Sequence, residues 1–213
     1  MKCVIFDMDG TISQTNQLIF DSFNFIAEKY LNKKLSNVEI TSLFGPPESG
    51  ALEAMLGHNN LEIIMEEYHK FYEEKHSELA SLYPGIREIL QFLKNRNIIV
   101  ALFTGKGRIA TDISLREFGI ENYFDMIITG NDVEEYKPSG NGIKKILNKF
   151  SLDPKNVLMV GDAVSDILAA KSTGVNIASV IWDSYGKDKV LLMNPELIFE
   201  NVNDFENWLQ QNI

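Results

Sequence analysis

Val4-Ile5-Phe6-Asp7-Met8-Asp9-Gly10-Thr11 joins a short apolar run to two carboxylates two positions apart, closed by a glycine and a threonine. Such a run, cut off by an acidic turn, reads as a buried strand that delivers its carboxyl end into a site. Two neighbouring acids repel each other unless a positive charge or a shared proton offsets them. One metal ion held by hard oxygens, with one carboxylate left free for chemistry, is the economical solution. In a continued strand Asp7 and Asp9 point the same way. A turn after Asp7 re-aims Asp9, and Gly10 permits that turn where a side chain would block it. An isolated pair of acids at this spacing is more often an ordinary acidic loop; the whole eight-residue string is far more specific.

Outward from this stretch the apolar pattern separates two regions. Residues 14–82 are helical with no strand pattern. Leu18, Ile19, Phe23, Ile26, Ala27 and Tyr30 fall at helical spacing over 16–31. A short helix is expected over 37–44, capped by Ser36 or Asn37, and further helices over 51–56 and 61–79. Gly45-Pro46-Pro47-Glu48-Ser49-Gly50 breaks the pattern between them. Tyr83-Pro84-Gly85 ends the region, with Pro84 placed to open the next helix. Helices lodged between strands in this way imply an inserted cap.

From residue 83 the chain alternates. Helices are expected over 85–95, 108–118, 141–150, 165–172 and 204–210, and strands over 98–103, 126–128, 156–160 and 175–181. Gly119 and Gly174 stop two of the helices. Alternation of this kind predicts an α/β fold with a doubly wound parallel sheet, built from residues 1–13 and 83–213 around the helical cap of 14–82. Ligands of such sheets bind beyond the carboxyl ends of the strands.

A chain of 213 residues suffices for one core domain with a smaller insertion. A net charge of −10 argues against nucleic-acid or anionic-membrane partners, which need a basic face. The same charge repels anionic substrates at long range, so a site for one would need a local cation. Cys3 is the only cysteine, so an internal disulfide is excluded and a reducing cytoplasm fits. No signal pattern and no apolar run of about 20 residues occurs, so a soluble cytoplasmic protein, monomer or dimer, is expected.

Three later strand ends carry polar residues. Leu102-Phe103-Thr104-Gly105-Lys106 offers a hydroxyl and exposed backbone N–H groups of the kind that hold a phosphate. Tyr136-Lys137-Pro138 places a compact point charge before a helix. Val160-Gly161-Asp162-Ala163-Val164-Ser165-Asp166 ends an apolar strand in an acid and adds a second acid four residues on, on the same face if a helix starts between them.

These four motifs, in this order, resemble those of the haloacid dehalogenase (HAD) superfamily in its phosphatase branch. The position of the helical insertion resembles the subgroup that contains phosphoglycolate phosphatases and related pyrophosphatases. The resemblance implies Asp7 as nucleophile, Asp9 as general acid/base, and Thr104 with its neighbouring backbone and Lys137 on the phosphoryl oxygens. It implies magnesium bound by Asp7, the backbone carbonyl of Asp9 and Asp162, with Asp166 an outer or occasional ligand. Gly140 stands where the family often has a second proline.

The substrate expected is a small phosphorylated metabolite, phosphoglycolate foremost, with pyrophosphate, a sugar phosphate, or mutase chemistry of the β-phosphoglucomutase type as alternatives. A regulatory or binding protein on the same scaffold is the alternative from another class. Glu48, Gly105, Lys106 and Arg108 are further candidates for substrate contact. His58, His69 and His76 lack a surrounding carboxylate set and are not expected to bind metal. Tyr68, Phe71 and Tyr72 are expected to be packing residues.

Overall fold

The computed structural model describes all of residues 1–213. Cys3–Phe6 forms β1, whose four side chains are all buried. Burial on both faces is what a continuous apolar strand in a parallel sheet requires. The chain then turns through Ser13–Gln14 (β2) into four helices: α1 (Asn16–Leu31), α2 (Asn37–Thr41), α3 (Glu48–Leu56) and α4 (Leu61–Leu79). It returns through Ser81–Leu82 (β3), which pairs antiparallel with β2. The rest alternates: α5 (Ile86–Asn95), β4 (Ile99–Phe103), α6 (Arg108–Phe118), β5 (Met126–Ile128), α7 (Asn141–Phe150), β6 (Val157–Gly161), α8 (Val164–Thr173), β7 (Asn176–Val180), α9 (Lys187–Leu192), β8 (Leu197–Phe199) and α10 (Val202–Asn212).

Six strands form one parallel sheet in the order β5-β4-β1-β6-β7-β8, with β1 in the interior. The period of two divides the strand residues between two cores. Val4 and Phe6 join Ile89, Leu93, Phe205 and Leu209 on one face. Cys3 and Ile5 join Ile143, Ile146 and Ala170 on the other. The chain order reverses on either side of β1, which opens a crevice at the carboxyl ends of β1, β4 and β6. No helix is long and apolar enough to cross a membrane.

The helical insertion has its own apolar cluster, centred on Leu18, Phe23, Ile26, Tyr68 and Tyr72, and Ala110 and Ile113 of α6 belong to it. The cap is therefore seated on α6. Tyr68 and Tyr72 are fully buried, as packing residues should be.

Several sequence expectations need correction. The stretch 14–82 is not free of strands, because β2 and β3 form a ribbon at its base. The sheet has a sixth strand, β8, and a helix α9, both too short to leave a periodic signal. The second helix ends at Thr41 rather than residue 44, although Ser36 does cap it through a reciprocal capping box with Glu39. Pro84 does not open α5; Gly85 precedes it at φ +95°, a left-handed conformation that glycine adopts without strain.

Candidate active site

Asp7 follows β1 directly and is almost wholly buried. Its carboxylate accepts a hydrogen bond from Lys137 Nζ at 2.5 Å. Burial pushes its pKa up to about 7, against the pull of the Lys137 ammonium and with a further push from Asp166. Gly10, at φ +79°, makes the turn expected after the strand, and a Cβ there would lie 2.6 Å from Asp162 Oδ2. The turn gives Asp9 its own partners: Thr15 donates to Oδ1 at 2.5 Å, and Lys106 Nζ lies 3.2 and 3.1 Å from the two oxygens.

Lys137 arrives from the loop between β5 and α7. Its ammonium also donates to Asp166 Oδ1 at 2.7 Å. Burial alone would lower its pKa, but Asp166 and Asp7 together hold it above the ordinary lysine value. Asp166, in the first turn of α8, accepts from the Ala163 backbone N–H at 3.0 Å with its other oxygen. Both of its oxygens are thus engaged. Asp162 follows β6. Thr11 donates to its Oδ1 at 3.3 Å, and Ser184 donates to its backbone carbonyl at 2.6 Å. Burial, then the charges of Asp7 and Asp166, push its pKa well above the carboxylate range.

Asp7, Asp162 and Asp166 each bring a carboxylate oxygen within 4.8 Å of the others. Three acids this close, with one lysine between two of them, are a poor arrangement for bare carboxylates and a good one for a hard divalent cation. The residues present therefore fit magnesium.

Thr104 lies buried beyond the end of β4, its Oγ1 accepting from the Lys106 backbone N–H at 3.2 Å. Lys106 is buried as well. Besides Asp9 it faces Glu48 Oε1 at 4.0 Å and lies 4.9 Å from the centroid of the Tyr72 ring. Glu48, at the start of α3, accepts from the Gly107 backbone N–H at 2.7 Å, and a side chain at position 107 would run into that carboxylate. Arg108 is not brought to the site. Its guanidinium is committed to Asp132 and to the Ile127 carbonyl.

Asp7, Asp9, Thr104, Gly105, Lys106, Lys137, Asp162, Asp166 and Glu48 all line one cavity of about 700 Å³ between the sheet end and the cap. None of the three cap histidines lines it. His76 Nε2 instead meets Ser114 Oγ at 3.0 Å, where Tyr72 also bonds. Sequence reasoning gave no role to Thr15, Ser184, Tyr185 or Lys189. The last two line the cavity from the segment after β7, a strand end where the general rule for such sheets would have directed attention.

The model of the haloacid dehalogenase-like hydrolases matches residues 4–180, a span that contains all four motifs. The chain belongs to this family. With Asp9-Gly10-Thr11 in place, this HAD-like hydrolase is an enzyme of the phosphatase branch. Among its relatives, the pyrophosphatase PpaX of Halalkalibacterium halodurans is 31% identical over 204 residues, 96% of this chain and 94% of that protein. The pyrophosphatase PpaX of Bacillus velezensis is 30% identical over 206 residues, with 96% and 94% covered. A Thermotoga maritima structure assigned as a β-phosphoglucomutase superposes at a TM-score of 0.78, with 29% identity and 100% of both chains covered. A Haemophilus somnus structure assigned as a phosphoglycolate phosphatase has the same fold, with a TM-score of 0.82 over 100% of this chain and 98% of that one, at 24% identity.

Proposed function

We propose that this HAD-like hydrolase is a magnesium-dependent phosphatase that cleaves a small phosphate monoester through an aspartyl-phosphate on Asp7. The observation that carries this reading is the convergence of Asp7, Thr104, Lys137 and Asp162, from three strand ends and the loop after β5, on one cavity between the sheet and the cap. Residues 14–82 act as the cap that closes over substrate and excludes water.

In the first step an Asp7 carboxylate oxygen attacks phosphorus and the ester P–O bond breaks, with Asp9 giving its proton to the departing oxygen. In the second, Asp9 takes a proton from water, whose oxygen attacks phosphorus, and phosphate leaves with the Asp7 carboxylate restored. Thr15 and Lys106 fix the Asp9 carboxyl between them. Lys137 and Thr104 face the phosphoryl oxygens, where a charge held in a dry site is most effective. Asp7, the Asp9 backbone carbonyl and Asp162 would hold magnesium, with Asp166 an outer or occasional ligand, and the ion would supply positive charge to the phosphoryl oxygens and the crowded acids.

A second reading, pyrophosphatase, is favoured by the name of the PpaX relatives. The test common to both is release of inorganic phosphate. With magnesium, the protein is expected to hydrolyse p-nitrophenyl phosphate, and chelation is expected to stop it. No release under any divalent cation would leave the non-catalytic alternative standing.

A further inference from the structure

Phosphoglycolate and pyrophosphate each carry a second anionic group beside the phosphate to be cleaved, and the cavity has to be asked whether it receives one. Its acids are Asp7, Asp9, Glu48, Asp162 and Asp166, and its bases are Lys106, Lys137 and Lys189. Lys137 is engaged by Asp7 and Asp166. Lys106, the one base beneath the cap, is already shared by Asp9 and Glu48. Lys189 forms no ion pair but stands on α9, outside the cap, and is exposed to solvent.

The departing oxygen must lie against Asp9, and a single ammonium separates Asp9 from Glu48. The leaving group therefore meets the Glu48 carboxylate as it extends toward the cap. Glu48 is held there: it is 7% exposed, and the Gly107 N–H fixes one of its oxygens. Burial pushes its pKa up, and Lys106 opposes that push. The cap lines the rest of the cavity with apolar residues such as Ile19, Phe23, Phe44 and Pro46 and with the neutral donors Asn16, Thr41 and Ser42, and it contributes no cation. A carboxylate accepts hydrogen bonds and donates none, so it suits a hydroxyl and rejects a second anion.

Resting on the phosphatase reading above, we infer that Glu48 selects monophosphates whose alcohol half is uncharged and hydroxyl-bearing, and excludes leaving groups with a second negative charge. The cavity volume suits an alcohol of several carbons.

The experiment compares kcat/KM for glycerol phosphate, a pentose phosphate and a hexose phosphate with that for phosphoglycolate and inorganic pyrophosphate. The wild-type protein is used with magnesium, and p-nitrophenyl phosphate is the reference. At least one uncharged-alcohol ester is expected to exceed both anionic substrates by about tenfold or more, which is about 1.4 kcal/mol in transition-state binding. In Glu48→Gln the ratio of kcat/KM for phosphoglycolate to that for p-nitrophenyl phosphate is expected to rise several-fold. Wild-type preference for phosphoglycolate or pyrophosphate, with p-nitrophenyl phosphate still turned over, overturns the inference and leaves the phosphatase reading intact. An unchanged ratio in Glu48→Gln overturns Glu48 as the selector. Failure to turn over any ester, the reference included, overturns the phosphatase reading itself.

Discussion

Lys137 is the residue on which the charge balance of the site turns. Its ammonium touches Asp7 and Asp166, and both contacts are buried. Replacing one member of a buried ion cluster leaves the others uncompensated, so Lys137→Met is expected to cost about 3–5 kcal/mol of unfolding free energy. Urea unfolding in the absence of magnesium measures this, and wild-type stability would contradict the geometry. Asp7→Asn removes the proposed nucleophile while keeping its shape. Turnover is expected to drop by about a thousandfold or more with an unchanged circular dichroism spectrum. Asp7 is legible in the sequence because it follows an apolar strand directly, whereas Lys137 lies in the loop after β5 and is marked only by its motif. Lys106 and Arg108 show where legibility stops. Two residues apart and alike in charge, they are indistinguishable as letters. The turn at Gly107 sends one beneath the cap to Asp9 and the other outward to Asp132.

At the level of elements, the strands that announced themselves are those buried on both faces, such as β1 and β6, where continuous apolar runs are required. The ribbon of β2 and β3 has two residues per strand and depends on partners far apart in the chain, so no local pattern could reveal it. The seating of α4 on α6 was equally hidden. There His76, Tyr72 and Ser114 form a buried polar chain inside an apolar contact. Burial pulls the His76 pKa below its usual value, with Glu117 and Asp9 opposing and Lys106 and Arg116 assisting. The folded state therefore keeps His76 neutral at pH values where the unfolded chain, titrating near 6.5, already holds a proton. The unfolded state binds more protons in that window, so stability contributed by neutral His76 is complete above about pH 6.5 and is lost as pH falls below it. Wild-type protein is expected to lose more stability between about pH 7.5 and 5.5 than His76→Gln does. Parallel urea titrations that show equal losses would exclude His76 as the cause.

For the molecule as a whole, the proposed metal site in the acid cluster at the sheet end would couple metal binding to folding. A cation that binds only the folded chain stabilises it by about 2.7 kcal/mol at a hundred times its dissociation constant. Magnesium is therefore expected to raise the melting temperature, with a rise that grows with concentration, and Asp162→Asn is expected to suppress it. A melting curve indifferent to magnesium in the wild-type protein would speak against the proposed site. The net charge of −10 belongs to the same scale: it repels anions at long range, and the proposed cation would offset that repulsion for a phosphate.

The chain passes from the sheet to the helical insertion at Gln14 and comes back at Ser81, and these two residues are paired neighbours. The chain enters and leaves the insertion through this single doorway. A short turn across that doorway would close the catalytic half on itself, and a different set of helices could be spliced in without disturbing one strand of the sheet. On the proposed function, chemistry and taste are thus written in separable passages, so the machinery could be kept whole while the choice of alcohol is rewritten.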